Sequence, residues 1–164
     1  MGFNEVSNIL WRERQLLELL LFKLEEEQLL LAAGKSRWLS HATREVEMVI
    51  DELKQTELRR AIEVDALAAS MSIGSNPSLS ELAEKAPAPW DKLLMDHRRA
   101  FLGATQDILT LAQANRNLLS QGQSAAREAL AWLGDDIDDD MYSPKDKKSG
   151  STSSARPQLV NKAV

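Results

Sequence analysis

NEVSNILWRERQLLELLLFKLEEEQLLLAAG, Asn4 to Gly34, decides the architecture of this chain. Leu10, Leu17, Leu24 and Leu31 recur every seven residues, the spacing of one stripe along a helix. At 100° per residue, Leu16, Leu17, Leu20, Leu21, Leu24 and Leu31 share one face, whereas Trp11, Phe22 and Leu29 share a second, roughly 120° away. A helix that is apolar on two sides needs neighbours on two sides. The segment therefore reads as one member of a bundle of three or more helices, not as half of an isolated two-stranded coil. Glu18, Lys23, Glu25, Glu26 and Glu27 interrupt the leucines. A membrane span needs about 20 mostly apolar residues, so this stretch is not one.

The neighbours follow along the chain. Gly34 stands where glycine favours a helix stop, just past the C-cap. Ser36 is the expected cap of a second helix running to about Met71. Its inner stripe reads Leu39, Ala42, Val46, Val49, Ile50 and Leu53, then drifts to Leu58, Ile62 and Ala66. After the loop SIGSNP, Ser78 and Glu81 have capping-box spacing and open a short helix, which Ala-Pro-Ala-Pro ends. Pro89 suits the first turn of the last helix, where Asp91 complements the dipole; Gly134 marks its expected end. The fold class expected is all-α: an elongated antiparallel three-helix bundle or coiled coil with a short connecting helix and a flexible C-terminal tail. Residues 1–134 form the bundle, with helices over about 4–33, 36–71, 78–85 and 89–133. Residues 135–164, acidic GDDIDDD, basic KDKK and then SGSTSSARP, offer almost nothing to bury and are read as a disordered tail.

Composition narrows the function. A chain of 164 residues suits one domain with a tail, and 5% aromatics with sparse Gly and Pro favours helices over a sheet. A formal net charge of −5 argues against nucleic acid and anionic lipid as partners. With no cysteine there is no disulfide framework, thiolate nucleophile or Cys-ligated zinc. The absence of cysteine fits a cytoplasmic protein, and the opening MGFNEVSNILWRER lacks the basic start and apolar core of a signal peptide.

Catalytic and metal signatures do not assemble. The two histidines, His41 and His97, lie on different helices, so no His-x-x-x-His zinc pair exists. His97, one turn from Phe101, reads as a surface or core-rim residue. Asp136, Asp138 and Asp140 begin like a calcium loop, but Met141 stands where glycine is required and Lys147 where glutamate is. Gly103, Gly122 and Gly134 are too dispersed to cradle a phosphate. Arg59, Arg60, Arg98 and Arg99 lie among acids, as on a solvated face. No catalytic residue, cofactor or metal ligand is assigned.

What remains is surface. Leu94, Phe101 and Ile108 form a large apolar column on the last helix, and the same column continues as Asn115, Gly122 and Ala129. At 1.5 Å per residue the three long helices measure roughly 45, 54 and 67 Å, so the third is expected to outrun the turn at Gly34. Leu118, Leu119, Ala125, Ala126, Ala129, Leu130, Trp132 and Leu133 then form an amphipathic stripe beside Gln121, Gln123, Arg127 and Glu128. Small residues here either let the helix pack closely on its own neighbours or floor a groove for another protein's helix, with the leucines and Trp132 as walls. Asn115 and Asn117 equally suit polar pairs inside the bundle.

NEVSNILWRERQLLELLLFKLEEEQLLLAAGKSRWL resembles the opening helix of the FlgN family of flagellar export chaperones, with its Leu/Glu run and glycine turn. SLSELAEKAPAPWDKLL resembles the short helix before that family's last long helix, and ANRNLLSQGQSAAREALAWL its asparagine-then-leucine pattern. MYSP, a polar run and LVNKAV resemble its tyrosine and flexible end, although SPKDKKSG departs from a clean Pro-x-Gly turn. The resemblance implies a cytoplasmic chaperone of the type III export pathway. Such a protein binds the C-terminal helical segments of the hook-associated proteins joining hook to filament, prevents premature assembly and delivers them to the export apparatus. The family's client contact maps onto Asn115, Asn117, Leu118, Leu119, Gly122, Ala126, Leu130, Trp132, Leu133 and Tyr142. Partners implied are the hook-associated junction proteins and export-apparatus components, with a monomer expected and a dimer as the variant. The competing readings are a structural helical adaptor or homo-oligomer without a client and, more remotely, an enzyme assembled from dispersed residues.

Overall fold

In a computed structural model, residues 2–141 are described, and side chains through residue 133. Four helices follow in order: α1 Phe3–Ala32, α2 Ser36–Ser70, α3 Leu79–Lys85 and α4 Trp90–Met141, with no strand among the described residues. The chain divides into two units, Met1–Ala125 and Ala126–Val164. The first holds α1, α2, α3 and α4 as far as Ala125. The second contributes the remainder of α4.

Within the first unit, long-range partners fix the directions. Glu13 pairs with Arg60 at 3.0 Å, Arg12 with Glu52 and Lys23 with Glu45 at 2.8 Å. Later positions on α1 thus meet earlier ones on α2, so the two run antiparallel. Phe3 stacks on Trp90 at 5.5 Å, Trp11 meets His97 edge-on at 4.9 Å, and Leu24 is reached by Asn115. Here positions on both helices rise together, so α4 runs parallel to α1. The result is an up-down-up bundle.

Both tight turns follow from backbone chemistry. Gly34 has φ 65°, and Lys35 N–H bonds to Leu30 O at 2.9 Å while Gly34 N–H bonds to Leu31 O at 3.2 Å. That pair of bonds closes the last turn of α1 in the left-handed ending that glycine tolerates without strain. The next helix starts at once, with Lys35 as its cap residue and Ser36 already inside the first turn, so Ser36 is not the cap its sequence position suggested. Ser78 does cap α3: Glu81 N–H donates to its Oγ at 3.2 Å, and Ser78 N–H donates to Glu81 Oε2 at 2.7 Å. Pro89 falls just outside α4, which begins at Trp90 with Asp91 in the first turn. At the other end α4 continues past Gly134 to Met141. A glycine inside a helix costs only about 1 kcal/mol, too little to end one by itself.

Two apolar clusters fill the bundle. One joins Val6 and Leu10 of α1, Val64 and Leu67 of α2, Leu82 and Ala83 of α3 and Leu94 of α4, with Phe101 against it. The other joins Leu16, Leu20 and Leu24 to Val46, Val49 and Leu53, with Leu17, Ile108, Leu111 and Ala112 packed against them. Each fully buried leucine contributes about 1.5–3 kcal/mol. Between the clusters lies a polar layer. Glu13 and Thr56 are buried there, with Arg60 half-buried beside Glu13.

This layer corrects the sequence reading of α2. Its inner face does not drift to Leu58, Ile62 and Ala66. Leu58 and Ile62 are 65% and 60% exposed, and the buried face continues in phase from Leu53 through Thr56 and Arg60 to Val64 and Leu67. Steps of three and four residues keep one side inward whatever occupies it. Hydrophobicity alone pointed away because two polar residues hold inward positions.

Candidate partner-binding surface

The apolar column on α4 explains how the first unit holds this helix. Leu94 is buried in the first cluster, Phe101 packs against it and Ile108 packs against the second. One step further, Asn115 is 3% exposed and donates from Nδ2 to the carbonyl oxygen of Leu24 at 2.9 Å. A helical carbonyl keeps a second lone pair after its own helix bond, and an amide side chain reaches it where a leucine would not. Asn115 thus lies inside the bundle, unavailable to a partner in this state, and takes the role of a polar pair within the fold. Asn117 points outward and accepts from Gln113 Nε2 at 3.0 Å.

The other residues read from sequence as partner-binding divide between the units. In the first, Leu118 is half-buried while Leu119 and Gly122 are exposed. Nothing lies within 4 Å of where a Cβ on Gly122 would sit, so this glycine is not required by close packing in the first unit. In the second unit, Ala126 and Leu133 are exposed, Trp132 is about half exposed and Leu130 is 69% exposed. Tyr142 lies outside the described residues, as does the expected tail beyond Met141.

The structure places His97 deeper than the surface or core-rim position expected from sequence. His97 is fully buried, not at a rim, between the ring of Trp11 and that of Phe101 at 6.2 Å. Neither ring nitrogen has a hydrogen-bond partner. Burial first, and then the Arg14 charge, hold its pKa below the ordinary imidazole value, against a smaller opposing pull from Asp96. Glu13 is the reverse case. Burial raises its carboxyl pKa, opposed by the Arg60 charge and helped by Glu57. No sequence motif marks either position; only their helical phase relative to Leu10 and Leu94 could have found them. Among the described residues no helix is long and apolar enough to cross a membrane, and no group of three or more metal-ligating side chains gathers.

Long amphipathic helices packed around two apolar clusters, with several large apolar side chains left in solvent, define an all-α helical bundle. The match is specific: the family model FlgN protein covers residues 1–150, and the chain belongs to the FlgN family. That is a family of flagellar export chaperones, not of enzymes. No curated protein and no solved structure matches the chain.

Proposed function

We propose that this chaperone works in the cytoplasm on the type III export route and holds the C-terminal helical segments of hook-associated proteins until delivery to the export apparatus. The supporting observation is the solvent exposure of Leu119 in the first unit and of Leu130, Trp132 and Leu133 in the second. Apolar side chains gathered on one stretch of surface mark a place for another protein, whereas ones scattered singly do not.

The physical task fits such side chains. Subunits of a helical polymer have unpaired apolar ends before assembly, and a chaperone helix supplies a temporary partner. Ordering a client end costs on the order of 2–5 kcal/mol, which moderates the net affinity. Binding near micromolar, about −8 kcal/mol, combines protection with release. Asn117, Leu118, Gly122 and Ala126 complete the proposed contact, with Trp132 as anchor and Tyr142 as a further contact; Asn115 positions the helix from inside.

Co-purification with hook–filament junction subunits, intact and lacking their C-terminal ends, tests this reading. Intact subunits are expected to be retained and truncated ones lost. Trp132→Ala with Leu130→Ser should weaken retention about thirtyfold or more, the effect of losing a central tryptophan anchor. Unchanged retention moves the contact elsewhere. Concentration-dependent light scattering abolished by the same substitutions assigns the residues to self-association.

A further inference from the structure

We propose that a second docking face lies on the early part of α4, centred on Leu102 and Leu109, and that it takes an amphipathic helix whose apolar stripe is bordered by carboxylates. Both leucines are 57% exposed, and Met95 extends their column toward the start of the helix. Spaced by seven, the three fall within roughly 40° of one another on the helix, a continuous stripe roughly 21 Å long. The face belongs wholly to the first unit, and none of its leucines or arginines is among the residues of the proposed client contact.

Charge identifies the occupant. Arg98, Arg99 and Arg116 lie within roughly 60° of the stripe, and its other close neighbours from Arg98 onward, Thr105, Gln106 and Gln113, are neutral. Asp107 sits roughly 140° from Leu102, on another side of the helix. Acids gather only at the upper end, where Glu84, Asp91 and Asp96 surround the Met95 position, and Asp96 engages Arg99 at 3.1 Å. That ion pair is exposed and holds Arg99 only weakly. In a chain of net charge −5, this basic rim is a local exception to the prevailing sign, and it attracts carboxylates. Leu79 of α3 adds depth: with Arg98, Phe101, Leu102, Thr105 and Gln106 it lines a cleft of about 360 Å³ beside the stripe. One apolar side chain of the incoming helix enters that cleft, with its neighbouring carboxylate directed at Arg98.

The test uses the full chain and two designed helical peptides with the same leucine stripe, one flanked by glutamates and one by lysines. The glutamate peptide is expected to bind at least about tenfold tighter, with affinity falling as salt rises. Leu102→Asp should weaken it about tenfold or more, and Arg98→Glu with Arg99→Glu should reverse the preference between the peptides. These side chains are exposed, so helicity by circular dichroism should be unchanged. Equal binding of the two peptides, or binding indifferent to Leu102→Asp, overturns the proposal. Two other results also overturn it. Self-association lost in Leu102→Asp assigns the face to a second copy, and preferential retention on phosphatidylglycerol vesicles assigns it to lipid.

Discussion

Asn115 donates its side-chain amide to the backbone carbonyl of Leu24, at 2.9 Å and across 91 positions of sequence. This bond ties α4 to α1 beyond the last leucine of the second cluster. Asn115 Oδ1 is buried without a partner, so the site uses the donor of the amide and not its acceptor. Asn115→Asp replaces the donor with a carboxylate facing a carbonyl and should cost about 2–3 kcal/mol. Asn115→Leu removes donor and orphaned acceptor together, so its cost should stay within about 1 kcal/mol. Urea unfolding followed by circular dichroism measures both.

The Glu13–Arg60 pair interrupts the core, and its members are unequal. Glu13 is buried, while the Arg60 side chain is 32% exposed. Arg60→Met strands a buried carboxylate and should cost about 2 kcal/mol at neutral pH, below the range for fully buried pairs because Arg60 meets solvent. The sign with pH is definite. A carboxyl whose folded pKa is raised contributes fully below its ordinary value of 4.5, and that contribution is lost as pH rises through the folded value. Arg60→Met should therefore recover stability as pH falls from 7 toward 5, measured by urea midpoints.

His97 should impose the opposite dependence. Its folded pKa lies below the ordinary 6.5, so the unfolded chain takes up a proton first as pH falls. Stability from this group is complete above pH 6.5 and is lost as pH drops toward the folded value. Melting temperatures between roughly pH 7.5 and 5.5 should decline in the wild type and less steeply in His97→Leu. The leucine should not destabilise at neutral pH, because neither ring nitrogen has a bond to lose.

The phase of α2 gives a contrast between apolar residues of similar size. Leu58→Gln and Ile62→Gln alter exposed positions and should each shift stability by less than about 0.5 kcal/mol. Val64→Ala, in the first cluster, should cost more, about 1–2 kcal/mol. Equal effects would place the inner face of α2 elsewhere.

The amino-acid order by itself determined what depends on near neighbours: four helices, the left-handed stop at Gly34, the reciprocal bonds of Ser78 and Glu81, and the leucine stripe of α1. Those features are local because a turn or a helix face is set within a few residues. Only the tertiary structure decided which polar residues go inside. Glu13 is held by Arg60 across the α1–α2 pair, Asn115 by a carbonyl on α1, and His97 by aromatic rings on two helices. Leu58 and Ile62 are left in water by the same rule. A helix turns about 100° per residue, and once Leu53 faces inward, Thr56 and Arg60 must follow it whatever their polarity.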